Sequence, residues 1–254
     1  IVVKIGTTTL THKGGLLNHR RLDALVRILA DLKNSGRELV IVTSGAVGVG
    51  MGELGLSQRP KDMPTVQACA AVGQSELMYT YDKLFGEYRH KVAQVLLTRD
   101  VVEDERRKRN VTNTFDRLLE FGIIPVVNEN DTVSIEELEF GDNDTLSAIV
   151  AVLVRADGLV LLSDTDGLYT ADPRKDPSAK LIPVVEDIES IMDIAGGPGA
   201  FGKGGMITKA HAAKKVCAEG IDMAIINGAD PMLLYDLMDG KSVGTYFRGG
   251  KTDV

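Results

Sequence analysis

Short apolar runs and helix-period segments take turns along almost the whole 254-residue chain, and no other feature narrows the fold as far. Ile1-Val2-Val3-Lys4-Ile5-Gly6 has the character of a buried strand, with Thr7-Thr8-Thr9 as its polar exit. From His19 to Asn34, Leu22, Leu25, Val26, Leu29 and Leu32 recur at a helical period that Gly36 stops. Leu39-Val40-Ile41-Val42 is the next strand, ending at Ser44-Gly45-Ala46. Strand, helix and strand make a parallel βαβ unit. The alternation continues with a helix over 64–88 and a strand over 92–97. A charged, solvated connection over 103–110 precedes a helix over 111–121 and a strand over 123–127. Further strands are expected at 158–164, 223–228 and 243–247, and helices at 206–219 and 232–238. The pattern predicts an α/β protein, a three-layer α/β/α sandwich with a mostly parallel central sheet. Ligands in such a sheet bind at the carboxyl ends of the strands.

Composition removes several classes of function. Thirty-six acidic residues against 29 basic ones give a net charge of −7, which disfavours nucleic acid as main partner. No apolar run reaches about 18 residues without a charge or glycine, so no membrane span is expected. Cys69 and Cys217 lie far apart in alanine-rich helical stretches, as buried reduced thiols would, and a cytoplasmic setting fits them best. The chain begins inside a strand-like run without methionine, so the lack of a targeting segment carries little weight.

Two polar knots interrupt this apolar framework. Gly141-Asp142-Asn143-Asp144 opens the helix Thr145 to Val154, which is apolar enough to require burial. Asn128-Glu129-Asn130-Asp131 follows the run Ile123-Ile124-Pro125-Val126-Val127. A single acidic residue at a helix start is an ordinary cap, but three polar groups exceed what capping needs. Lys4 lies inside an apolar strand and must meet an anion, as a structural ion pair or as part of a site. Ser44-Gly45-Ala46 is either a tight turn or a set of backbone N–H groups for an anion. Gly204-Gly205-Met206-Ile207-Thr208-Lys209 is either a surface loop or bare backbone at a helix start with a lysine one turn in. Ser163-Asp164 ends another strand and could equally cap a helix.

Two phosphate motifs are decoys. Gly50-Met51-Gly52-Glu53-Leu54-Gly55 matches the dinucleotide glycine pattern but lies past a strand end, and no acidic residue follows at the required distance. Gly197 to Lys203 fits G-x-x-x-x-G-K, yet Gly204 stands where Ser or Thr must hold magnesium.

Seven segments together resemble the motifs of the glutamate 5-kinases, in the amino acid kinase family. They are Lys4 to Thr8, Val42 to Ala46, Ala70 to Gln74, Asn128 to Asp131, Gly141 to Asp144, Gly167 to Pro173 and Gly204 to Lys209. The resemblance runs in order from Lys4 to about Thr245. It implies one amino acid kinase domain over 1–254, with an amino-acid half over about 1–156 and a nucleotide half over about 157–254. No counterpart of the PUA domain that many members add is found before Val254. The implied reaction is phosphorylation of the glutamate side-chain carboxylate by Mg-ATP, the first step of proline synthesis. By position, Lys4 and Lys209 resemble the pair that grips the transferring phosphoryl group, and Asp144 the carboxylate that orients them. Ser44, Asp131 and Asn143 match glutamate-binding positions. Lys4, Ser163, Asp164, Lys203, Gly204, Gly205, Met206, Ile207, Thr208 and Lys209 match ATP-binding positions, while no direct metal ligand is implied. The resemblance also implies a homo-oligomer (dimer or tetramer), proline as feedback inhibitor and glutamyl phosphate reductase as partner.

The chemistry agrees with that expectation. A side-chain carboxylate is ionised at neutral pH and needs no general base. The obstacle is repulsion from the nucleotide phosphates, which two lysines and magnesium offset. His12, His19, His90 and His211 all lie away from the strand ends. The rivals are a sister kinase for N-acetylglutamate, aspartate, carbamate or a nucleoside monophosphate, and a non-catalytic amino-acid sensor. The acidic knot at Asp131 favours a free α-ammonium, and a sensor could dispense with both lysines.

Overall fold

The computed structural model describes residues 1–12, 14–133, 143–173, 175–189, 191 and 205–250, with the Arg99 side chain outside the description. Its contact pattern divides the chain into two units, Ile5–Asn143 and Ile1–Lys4 with Asp144–Val254.

The unit Ile5–Asn143 contains helices α1 (Thr7–Leu10), α2 (His19–Asn34), α3 (Ala46–Glu53), α4 (Met63–Glu87) and α5 (Glu105–Glu120). Its strands are β2 (Val40–Val42), β3 (Val92–Leu97) and β4 (Ile124–Glu129). Helix starts are written in the sequence: Asn18, Asp62 and Asp104 each accept a backbone N–H three residues on, from Arg21, Thr65 and Arg107. The three strands are parallel in the order β3-β4-β2. The register Val42↔Val127 brings Ser44 and Asn128 to the same end of the sheet.

The other unit carries β1 (Val2–Ile5), α6 (Asp144–Leu153), β5 (Gly158–Ser163), β6 (Val184–Val185), α7 (Gly205–Ala218), β7 (Asp222–Asn227), α8 (Leu233–Met238) and β8 (Thr245–Phe247). Strands β5 and β7 are parallel over their full length, from Gly158↔Asp222 to Ser163↔Asn227. All the described side chains of α6 except Thr145 and Val152 are buried, as its composition requires. In this unit the strands follow the order β1-β5-β7-β8-β6, and with the parallel β3-β4-β2 of the other unit the predicted mostly parallel α/β sheet is the fold observed.

Three local expectations need correction, and one rejected motif finds its task. The charged stretch 103–110 is no connection: α5 starts at Glu105, capped by Asp104, and its first turns are charged because only Val111 and Phe115 are buried. Thr7 to Thr9 form a short helix where a simple polar exit was expected. Strand β8 pairs antiparallel to β7, and the two-residue β6 lies outside every expected strand. The glycines of the dinucleotide-like pattern belong to α3 and its end. A Cβ at Gly73 of α4 would stand 1.9 Å from the Ala46 carbonyl oxygen, and one at Gly50 would stand 1.8 Å from that of Cys69. These glycines let α3 and α4 touch backbone to backbone, which is a packing task and involves no phosphate.

Cys69 and Cys217 are buried free thiols, as expected. No helix among the described residues is long and apolar enough to cross a membrane.

Candidate active site

Lys4, Asp144 and Lys209 meet within one unit. Strand β1 carries Lys4 with only 5% of its surface exposed; Asp144 opens α6 fully buried; Lys209 lies one turn into α7, 9% exposed. Lys4 Nζ is 2.7 Å from Asp144 Oδ1 and Lys209 Nζ is 2.9 Å from Asp144 Oδ2. Lys209 also donates to the Gly205 carbonyl at 3.2 Å, and Thr208 Oγ1 donates to Asp144 Oδ2 at 3.0 Å. The first-turn N–H groups of α6 favour a carboxylate at this place. Two buried ammonium groups thus converge on one carboxylate, an arrangement that can present positive charge to an anionic ligand.

The described part of the expected nucleotide segment, Gly205 to Lys209, opens α7. Lys203 and Gly204 lie outside the described residues, as do Gly141, Asp142 and the decoy Gly197 to Lys203. Ser163 is buried at the end of β5, its Oγ 3.4 Å from both Asp164 Oδ1 and Thr165 Oγ1. Asp164 is exposed beside it.

In the unit Ile5–Asn143, Ser44, Asp131 and Asn143 line one cavity of about 130 Å³. Gly45 to Gly48, Thr7, Arg59 and Asn128 complete most of its wall. Gly45 caps α3 with φ of 90°, a left-handed conformation that glycine adopts at no cost, and no side chain caps the helix. The first N–H groups of α3 are therefore left to a ligand anion. The two polar knots touch here: Asn143 Nδ2 donates to Asn128 Oδ1 at 2.7 Å and to the Thr43 carbonyl at 2.5 Å. Ser44 Oγ and Asn143 Oδ1 are buried and have no hydrogen-bond partner among the described residues. Burial and the nearby Glu129 push the Asp131 carboxyl up to about 6, with Arg59 pulling it down. A carboxylate so placed gains from a cation beside it.

Arg59, Thr7 and Gln74 were not singled out as site residues from the sequence. Arg59 sits in the polar connection between α3 and α4, where nothing in its neighbours marks it. Gln74 is buried on α4 and joins Asn128 to Gln94.

A methyl group added at Gly73 would displace the Ala46 end of α3 and with it the cavity wall. Gly73→Ala should cost about 1–3 kcal/mol by overpacking. That is a fall of several degrees in Tm at roughly 2–4 °C per kcal/mol. Amino-acid binding should weaken alongside it, measured by thermal melts and ligand titration. An unchanged melt would mean that α3 yields without strain.

Comparison with known proteins places this geometry in a lineage. A model of the amino acid kinase family matches residues 1–227. Glutamate 5-kinase of Clostridium perfringens is 53% identical over 257 residues, covering 99% of this chain and 96% of that protein. Glutamate 5-kinase of Symbiobacterium thermophilum is 53% identical over 249 residues, covering 97% and 95% respectively. Among solved structures, the isopentenyl phosphate kinase of T. acidophilum superposes with a TM-score of 0.63 at 18% identity, covering 97% of this chain and 99% of that one, a likeness of fold. The chain belongs to the amino acid kinase family and, within it, groups with the glutamate 5-kinases.

Proposed function

We propose that the protein transfers the γ-phosphoryl group of ATP to the side-chain carboxylate of L-glutamate, giving L-glutamyl 5-phosphate and ADP, the first step of proline biosynthesis. The observation that carries this reading is the buried Lys4–Asp144–Lys209 cluster, with two ammonium groups held on one carboxylate, in a chain half identical to glutamate 5-kinases. In the reaction a carboxylate oxygen forms a bond to the γ-phosphorus, and the bond to the oxygen bridging the β- and γ-phosphates breaks. The acceptor is already ionised, so no proton has to be removed. Charge on the transferring group is what must be neutralised, and preorganised ammonium groups in a buried site do that without reorganisation.

In this reading the unit Ile5–Asn143 takes glutamate and the other unit takes the nucleotide. Asp131 pairs with the α-ammonium, with Asn143 and Ser44 as further polar contacts, and the N–H groups opening α3 face a substrate carboxylate. Lys4, Ser163, Asp164 and the segment Lys203, Gly204, Gly205, Met206, Ile207, Thr208 and Lys209 bind the nucleotide. Among the described residues no group of three or more His, Cys, Asp or Glu side chains is placed to hold a metal ion. Magnesium, brought with ATP, would supply further neutralisation of the phosphate charge. The enzyme would work in the cytoplasm as a homo-oligomer inhibited by proline and pass its unstable acyl phosphate to glutamyl phosphate reductase.

ADP release measured with glutamate, aspartate, N-acetylglutamate and a nucleoside monophosphate tests the reading, with hydroxylamine trapping the acyl phosphate as a hydroxamate. Turnover should be confined to free glutamate, and a preference for an N-acylated or nucleotide acceptor would overturn it.

The Asp131 assignment gives a pH dependence. Asp131 must be ionised to hold an ammonium, and its carboxyl titrates at about 6 in the free pocket. The Michaelis constant for glutamate should therefore climb as pH falls through 6, approaching tenfold per pH unit below it. The ATP constant should stay level. Asp131→Asn should flatten that profile and raise the glutamate constant about ten- to a hundredfold, the worth of a hydrogen bond to a charged group. A larger change in the ATP constant would move Asp131 to the nucleotide.

A further inference from the structure

Four side-chain amides run in single file from the cavity wall to exposed Gln94 on β3. Asn143 Nδ2 donates to Asn128 Oδ1 at 2.7 Å, Asn128 Nδ2 to Gln74 Oε1 at 2.8 Å, and Gln74 Nε2 to Gln94 Oε1 at 3.3 Å. An isolated side-chain amide can be turned end for end with little change in shape. Here two backbone groups forbid it. The Thr43 carbonyl can only accept, and it takes an Asn143 N–H at 2.5 Å. The Glu129 N–H can only donate, and it goes to Asn128 Oδ1 at 3.0 Å. The file therefore points one way, and Asn143 keeps its Oδ1 as an acceptor with no partner among the described residues. Amides that donate in sequence polarise one another and strengthen the acceptor at the end of the file.

We propose that Gln74 is a positioning residue for amino-acid recognition. By accepting from Asn128 it holds that side chain where it can orient Asn143. The cavity then offers the α-nitrogen of its ligand two acceptors, Asn143 Oδ1 and the Asp131 carboxylate. A primary ammonium, with three N–H groups, satisfies both; an acylated nitrogen has one N–H and no charge. Gln74 is buried on α4 and is not among the residues lining the cavity, so it acts through Asn128 alone. The inference rests on the glutamate reading above and explains how that site selects a free amino group.

Calorimetric titration without nucleotide separates the two claims. L-glutamate and glutarate, the same dicarboxylate lacking the amino group, are titrated into wild type, Gln74→Leu and Gln74→Glu. Leucine leaves the Asn128 N–H without an acceptor, whereas glutamate keeps an oxygen in that position. Gln74→Leu should weaken L-glutamate binding about tenfold, the scale of one hydrogen bond to a charged group. Glutarate binding should not change, so the preference for the amino group falls by the same factor. Gln74→Glu should restore most of it, and the ATP Michaelis constant should stay put in both variants. Gln94→Leu, at the exposed end of the file, should shift the preference in the same sense by a smaller factor even if Gln74→Leu does not fold. An unchanged preference in Gln94→Leu and in whichever Gln74 variants fold, or equal weakening of both ligands, overturns the positioning role. If wild type binds and phosphorylates glutamate in that case, the glutamate reading survives alone. If wild type binds neither ligand, both fall.

Discussion

Replacing Lys209 with methionine should lower turnover about a hundred- to a thousandfold, the range for losing one preorganised donor to a developing oxyanion, and leave glutamate binding and Tm close to wild type. Methionine retains most of the unbranched stem that packs at the start of α7. It removes only the ammonium that lies 2.9 Å from Asp144 Oδ2 and 3.2 Å from the Gly205 carbonyl. Asp144 keeps Lys4 at 2.7 Å, so one carboxylate still faces one ammonium and no unpaired charge is left buried. The loss should fall on the transition state, because the transferring group carries its greatest unneutralised charge there. Rapid-quench single turnover reads this step directly. A phosphoryl-transfer rate equal to wild type would assign Lys209 to the fold alone.

The sheet and most of its helices were legible in the sequence because burial writes itself into period. The three apolar residues of β1 and the almost fully buried α6 belong to apolar runs with nowhere else to go. The buried lysine in β1 was legible for the opposite reason, since an ammonium in such a strand demands an anion, and Asp144 is that anion. Helix α5 was cut short because period needs buried residues to show itself. Its first turns, from Glu105 to Asn110, face solvent, and only the Asp104 cap announces them. The amide file was not legible, because Gln74, Asn128 and Asn143 stand 54 and 15 residues apart along the chain and meet only when α4 packs beside β4. Arg59 is an exposed cation in a polar connection that also holds Lys61, and only the folded cavity gives it a place. The glycines of α3 match a phosphate motif in spacing alone, and their place past a strand end is what set that reading aside. Glycine spacing records close backbone approach, and a neighbouring helix calls for that as readily as a pyrophosphate does.

Asp144→Asn should be the more damaging of the two substitutions, since it strikes turnover and stability together. Asparagine matches aspartate in size and is an equally good residue at a helix start, so a cap alone would survive the change nearly intact. The carboxylate does something an amide cannot. Its Oδ1 pairs with the Lys4 ammonium at 2.7 Å, and its Oδ2 accepts from Lys209 and the Thr208 hydroxyl. An amide turns one of those acceptors into an NH₂ group that points at an ammonium. Both buried ammonium groups would then lose the carboxylate that lies between them. Breaking a buried ion pair from one side costs about 3–5 kcal/mol. At roughly 2–4 °C per kcal/mol for a chain of this size, Tm should fall on the order of 10 °C. Turnover should fall at least as far as in Lys209→Met, because both lysines lose the group that fixes their spacing. Glutamate affinity, measured by titration below the new melting point, should change least, as Asn143 and Asp131 keep their own partners. Differential scanning calorimetry and single-turnover kinetics on the same preparation give both readouts. Near-wild-type values in the two would reduce Asp144 to a helix cap and leave each lysine to be held by other neighbours.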